Sequence, residues 1–493
     1  MNFASLLFLY IFLPLTLLAY FFMPDVRRKN MLLVAVSLLF YAMGQPLYVF
    51  FLAGLTWLNY RFSLRIRPGR TSTLRIPVAV NLAVLLLLRY VDALPVITGA
   101  DGVQTGMLLG LVGKAVAGLN SIGMSLEAPS SLMPIGLPFY FLTAVSYFLD
   151  IFHGKTKPEK NLLQFAAYMT MFPKLAQGPV VRYTQIEKQL AGRGVNPRLI
   201  FEGSLRFIIG LSKKVLLADY CARTIAGLSG GAEQTLVGAW LCALMYMYRI
   251  YFDFSGCCDM AVGLGRIFGF RFSENFDHPY SAVSVTEFTK KWNLTLRSFV
   301  RDYVYIPLGG NRNGQVRQVM NCLASWLFVG LWHGAGLNYV VWALYLFVFV
   351  MLERLLEPQI VDLPRVLRRF LTMLILLFGW VLFAHPDLME LGTAMKGMLG
   401  FGGFAVPGLG RKVLNSLPLI LLCMAASGEV PAQLAVFWSK LCGMGGRNRR
   451  DDRVSATRVI YVVSAVAYAC VLLWLCTVSL AGLGEVPPVF GRI

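Results

Sequence analysis

Charged residues are missing from long stretches of this chain. Residues 3–23 and 31–60 contain no Asp, Glu, Lys or Arg, and neither do residues 77–88, 319–352, 370–384 and 459–483. A helix needs about 20 apolar residues to cross roughly 30 Å of hydrocarbon. Several blocks meet that length, and the shorter ones suit tilted, re-entrant or buried pieces. The pattern predicts about 10–13 membrane segments. Open sheets cannot span lipid, so the expected fold is all-α, a polytopic helical bundle. Residues 3–23 lack a basic leading region and a small-residue cleavage pattern, and Pro24, Arg27, Arg28 and Lys29 follow them. They are expected to stay as a first helix.

Two regions break the apolar pattern. Residues 271–317 are polar, aromatic and charged, yet lie between apolar blocks. Ser284 followed by Glu287 is a helix-start signal. Phe288, Trp292, Leu296 and Phe299 then recur at helical spacing. One amphipathic helix is predicted, lying on the membrane surface or wedged into a cavity, and stopped by Pro307 and Gly309-Gly310. The second region, MFPKLAQGPVVRY at 171–183, carries two prolines and a glycine. Irregular backbone near membrane depth is tolerated where it lines a protein-buried cavity. No internal repeat or separate soluble domain is visible, so residues 1–493 are expected to form a single transmembrane domain.

Composition agrees with this picture: 57% of the 493 residues are hydrophobic and 14% charged, against roughly 25% charged in soluble domains. The net charge of +20 sits in short runs: Arg61, Arg65, Arg67, Arg70 and Arg75; Lys155, Lys157 and Lys160; Arg447, Arg449, Arg450 and Arg453. Cytoplasmic loops have that character under the positive-inside rule, with anionic headgroups as natural contacts. No basic domain stands outside the membrane segments, which argues against nucleic acid. Nine cysteines without a C-x-x-C pair indicate neither a disulfide framework nor a metal site.

The candidate chemistry is sparse. Of four histidines, His153 and His385 adjoin loop signals, and His278 precedes Pro279 in a polar stretch. His333 lies far inside an apolar block. A helix beginning near Gln318 would carry it roughly 22 Å along its axis, within the hydrocarbon span. Ionisable groups there usually face a cavity or a partner. A neutral imidazole can act as general base toward a hydroxyl, and an amide such as Asn293 could supply a polar contact. The residues alone leave open a structural role for His333, bonding between helices. Signatures of serine hydrolases, zinc proteases and Walker ATPases are missing.

The stretches FDFSGCCDMAVGLGRIFGF (252–270), ENFDHPY (274–280), FVRDYVYIPLGGNR (299–312) and LWHGAG (331–336) resemble the membrane-bound O-acyltransferase (MBOAT) family, and within it the bacterial alginate O-acetylation branch. FPKLAQGPVVRY (172–183) and GWVLFAHPDL (379–388) resemble its upstream and C-terminal motifs. The recognisable region is about 172–388. The resemblance implies a ring of helices around a tunnel, and an acyl thioester (acetyl-CoA or an acyl carrier) reached from the cytoplasm, with no bound cofactor. It implies that His333 is the catalytic histidine. It also implies a cell-envelope polysaccharide as acceptor, an exported acetyltransferase as partner, and the bacterial cytoplasmic membrane as location. Asn293 departs from the histidine common in the branch at this stretch, and is expected to orient donor or acceptor without exchanging protons. Arg301, Asp302, Tyr303 and Tyr305 are expected around the cavity mouth, as substrate contacts or as residues that pair and pack there. Trp332 is a further candidate contact.

Acyl transfer to an envelope polysaccharide is the leading reading. A multi-pass transporter or polymer-export component would also explain intramembrane polar residues and broken segments, but no pair of related halves is visible. An inactive scaffold is a third reading, and the intact WHG stretch opposes it.

Overall fold

A computed structural model gives the fold and describes residues 2–90, 97–98, 104–105, 107–121, 133–175, 177–228, 231–442 and 456–489. The chain is helical, apart from a two-residue antiparallel pairing of Ile97–Thr98 with Gln104–Thr105. Among the described residues, five helices are long and apolar enough to cross a membrane: Thr71–Tyr90, Leu337–Leu355, Arg365–Ala384, Leu409–Ser427 and Val459–Leu483. Shorter apolar helices run over Phe8–Phe22 and Leu137–Phe152. Large apolar side chains on these elements face outward, including Phe22, Phe370 and Trp474. Water would penalise that surface, whereas lipid solvates it. The expected basic loop with Arg447, Arg449, Arg450 and Arg453 lies outside the described residues.

One face of the first segment, with Phe8, Phe12 and Tyr20, packs into the interior. Phe12 meets Phe172 edge-on with ring centroids 5.8 Å apart, and the Tyr20 hydroxyl donates to the Phe268 carbonyl at 2.6 Å. The centre of the bundle is the 32-residue helix Leu236–Ile267. It lies against Pro197–Ser212 at backbone contact distance. A Cβ on Gly210 would stand 2.6 Å from the Gly256 carbonyl oxygen, and one on Gly263 would stand 2.6 Å from the Gly203 oxygen. Small residues at seven-residue spacing on both helices permit this approach, which is how helices gain packing energy where burial from water gives none.

Charge locks the same pair. Lys214 is buried between Asp219 at 2.7 Å and Asp253 at 2.8 Å, and its ammonium also donates to the Val486 carbonyl. Lys213 and Arg206 both bond Asp259 at 2.7 Å. Each of these buried charges has an opposite partner, which removes the large cost of an unpaired one.

The apolar block 319–352 is two helices, Gly314–His333 and Leu337–Leu355, reversing at 334–336. One expectation about the site-bearing elements changes in detail. The single amphipathic helix expected from Ser284 is likewise two, Val285–Lys291 and Leu294–Val300, with a π-helical turn Arg301–Tyr305 after them. The start itself stands as read, because the Ser284 hydroxyl accepts the Glu287 N–H at 2.9 Å. Periodicity continues across Trp292 and Asn293, so the apolar spacing gave no sign of the break.

Replacing Gly263 with Val should force the two central helices apart. Overpacking of this kind costs about 1–3 kcal/mol, and the thermal midpoint of the detergent-solubilised protein should fall accordingly.

Candidate active site

A cavity of about 350 Å³ lies between the broken 285–305 segment and the helix Gly314–His333. Along that helix Cys322, Ser325, Trp326, Val329 and His333 line it, at the spacing of one helical face. Eleven steps of 1.5 Å rise from Cys322 to His333 make the wall about 16 Å long. Arg297, Arg301 and Tyr305 line the cavity from the other side, with Trp292, Asn293 and Trp342. The Arg301 side chain is 55% exposed, whereas His333 is 5% exposed. The cavity therefore has an outer cationic end and an inner end at the imidazole.

His333 is the last residue of its helix. Gly334 is extended at φ 171°, and a Cβ there would lie 2.3 Å from the Tyr339 ring. Glycine is needed for the close approach, not for its backbone angle. The reversal places the imidazole against Trp342, with ring centroids 5.3 Å apart, and against Phe383, also at 5.3 Å.

Asn293 stands at the break between the two short helices, in the left-handed region at φ 46° and ψ 58°. Asparagine tolerates that conformation better than most residues. Its side-chain oxygen accepts the Leu296 N–H at 3.4 Å and caps the second helix. Asn275 fixes the turn: its backbone oxygen accepts Leu294 N–H at 3.0 Å, and its side-chain oxygen accepts Thr295 N–H at 3.1 Å. The Thr295 hydroxyl also accepts the Val180 N–H at 3.0 Å, and the Cys258 thiol donates to the Gln177 carbonyl. Three motif stretches, 172–183, 252–270 and 274–280, thus meet behind Asn293. At the start of the first short helix, the Glu353 carboxylate accepts the N–H groups of Val285 and Thr286.

The structure brings His333, Asn293, Arg301 and Tyr305 to one cavity. The other sequence candidates lie outside its wall. Asp302 accepts hydrogen bonds from Arg182 and Arg301, each at 2.7 Å. The Tyr303 hydroxyl donates to Asp150 at 2.6 Å, and the Arg182 guanidinium lies over its ring at 4.9 Å. Trp332 donates to the Pro138 carbonyl at 3.3 Å and packs against Phe139. Sequence reasoning missed Arg297, although its four-residue spacing from Arg301 puts both on one helical face. Of the remaining histidines, His278 has a left-handed backbone and neighbours Asp277 at 3.2 Å. His385 bonds the Val381 carbonyl, and His153 ends the helix Leu137–Phe152.

A buried imidazole and an amide share one cavity in a lipid-facing helical bundle, and the cavity mouth is cationic. This arrangement can hold an anionic donor and remove a proton from a hydroxyl. The class it fits is a membrane-embedded acyl-transfer enzyme, and comparison with known proteins agrees. Residues 156–385 match the model of the membrane-bound O-acyltransferase family, MBOAT. The chain is 34% identical over 463 residues to "Probable alginate O-acetylase AlgI" of Pseudomonas syringae, covering 92% of this chain and 85% of that protein. It is 35% identical over 438 residues to the protein of the same description from Pseudomonas aeruginosa, covering 86% and 80%. It is 27% identical over 453 residues to the peptidoglycan O-acetyltransferase of Helicobacter pylori, covering 83% and 82%. The chain belongs to the MBOAT family, and it is an O-acyltransferase.

Asp302 lies outside the candidate spans. Burial pushes its carboxyl up, but the hydrogen bonds from Arg301 and Arg182 outweigh burial and hold it below the ordinary aspartate value of 3.8. A carboxylate held low contributes stability in full above that value, and the contribution fades as pH falls through the depressed one. The wild type should therefore melt higher than Asp302→Asn at pH 7, and the gap should close as the pH is taken below about 3.9.

Proposed function

We propose that this chain moves an acetyl group from a thioester donor, acetyl-CoA or an acyl carrier, toward hydroxyls of an extracytoplasmic cell-envelope polysaccharide. Its place would be the cytoplasmic membrane of a bacterium, and an exported acetyltransferase would be the partner that completes the transfer. The observation that carries this reading is the shared cavity of Asn293 and His333 with its cationic mouth. The printed descriptions of the relatives support the acetyl group and an envelope acceptor: an alginate O-acetylase and a peptidoglycan O-acetyltransferase. Tyr20 on Phe268, and Tyr90 on the His333 helix, tie flanking helices to the matched region, which supports reading residues 1–493 as one unit.

In this reading the donor's anionic part rests near Arg301 and Tyr305, and the thioester reaches inward to His333. Asp302 and Tyr303 hold the mouth in shape, and Trp332 holds the end of the His333 helix. The imidazole takes the proton of the acceptor hydroxyl, whose oxygen attacks the thioester carbonyl carbon. A C–O bond forms and the C–S bond breaks. The departing thiolate takes the proton from the imidazolium, leaving His333 as it began. The Asn293 amide nitrogen, a donor not used by the cap, orients the carbonyl or the acceptor. The tryptophans exclude water that would otherwise hydrolyse the thioester.

The test is ester-linked acetate on envelope polysaccharide from cells lacking this gene, complemented at matched membrane abundance. Wild type should restore acetate. His333→Ala should lower it by about 100-fold or more, the usual range for a lost general base. Equal restoration by both would sink the reading. Asn293→Ala should also lose acetate, and full retention there would remove its orienting role.

A further inference from the structure

Arg89 follows the uncharged run 77–88 near the end of the spanning helix Thr71–Tyr90, and it is 8% exposed. A buried cation is costly unless something answers it. One guanidinium nitrogen donates to the backbone carbonyl of His333. The next residue does the same work beside it: the Tyr90 hydroxyl lies 2.8 Å from the Leu331 carbonyl and 3.2 Å from the Gly334 carbonyl. The other two guanidinium nitrogens, Nε and Nη1, have no hydrogen-bond partner among the described residues. The side chain is thus directed at the end of the His333 helix.

That helix end needs donors. The last four carbonyls of any helix lack intrahelical partners, and here Gly334 leaves the helix in an extended conformation. The negative end of the helix dipole also answers the Arg89 charge. An unsupported last turn frays, and His333 is on that last turn. Its imidazole projects from the very residue whose carbonyl Arg89 holds.

We propose that Arg89, assisted by Tyr90, is a positioning residue for the transfer reaction. It clamps the terminal turn of the Gly314–His333 helix so that the imidazole stays aimed into the cavity. The inference rests on the proposed role of His333 as base. Arg89 need not touch substrate, because it acts through the backbone of His333. A misplacement of about 1 Å at a reacting group can cost roughly 100-fold in rate, so loss of the clamp should show in turnover.

A structural control is available on the same helix. Asn81 forms a reciprocal amide pair with Asn59, at 2.8 and 3.1 Å, in the middle of the helix, about two turns before Arg89. Full-length Arg89→Gln, Arg89→Lys and Asn81→Ala would be compared in cells lacking the gene, with acetate ester measured per folded molecule and thermal midpoints taken in detergent. Arg89→Gln should lose acetate by about 10–100-fold per folded molecule. Arg89→Lys, which keeps charge and a donor, should recover most of it. Asn81→Ala should lower the midpoint at least as far as Arg89→Gln does and leave acetate per folded molecule unchanged. The inference is overturned if Arg89→Gln matches wild type per folded molecule, if Arg89→Lys is as inactive as Arg89→Gln, or if Asn81→Ala loses acetate to the same extent. A His333→Ala variant that keeps full acetate would instead defeat the function reading, a different result from any of these.

Discussion

Backbone that leaves a helix inside hydrocarbon must find partners within the protein, because lipid offers none. The site of this protein is made of such departures. The helix carrying His333 stops at Gly334, the amphipathic segment breaks at Asn293, and the chain runs irregularly through 177–182. Each break is closed from a distant part of the sequence. Arg89 and Tyr90 serve the carbonyls around His333. Asn275 and Thr295 serve the turn at Asn293 and the strand-like run beside it. The Ser37 hydroxyl accepts the Phe172 N–H at 3.0 Å at the start of the short helix Phe172–Leu175 that precedes that run. The cavity exists because these closures hold the breaks open at fixed positions.

The chemical polarity of the cavity follows from where the charges are affordable. Arg301 remains half-exposed at the mouth, where water still shares its solvation, and its partner Asp302 is held by Arg182 as well. Deeper in, the wall is largely tryptophan, leucine and valine, with Thr289, Asn293, Cys322, Ser325 and His333 among them. Behind the wall, the central helix keeps its own charges paired in the Lys214–Asp219–Asp253 group. An anionic donor is thus drawn to one end, and a proton acceptor waits at the other.

Much of this was legible beforehand, for identifiable reasons. Long uncharged blocks announced a membrane protein through their length alone. His333 stood out because an ionisable group in an apolar run is expensive, and the surrounding motifs carried the family resemblance that the comparisons bear out. Asn293 could be selected from the residues and the resemblance, but its conformation could not. The left-handed turn is stabilised by Asn275, eighteen residues earlier, and by contacts to 177–180, and none of these appears in local periodicity. Arg89 was overlooked because the apolar block was read as ending at Leu88. The single charge beyond that point looked like the end of a span when it was aimed at another helix.

What the sequence determined by itself was the solvent of each segment. Composition and period decide whether a stretch prefers lipid, water or a surface between them, since transfer free energy is additive along the chain. It also determined the chemical inventory, in which few intramembrane groups are able to exchange a proton. Tertiary structure decided which of those groups share a cavity, where the two helices around the site break, and which side chains close the broken backbone. Those outcomes depend on hydrogen bonds between residues separated by tens to hundreds of positions, as between Arg89 and His333. Such pairings acquire their energy only when the bundle has closed and water has been excluded.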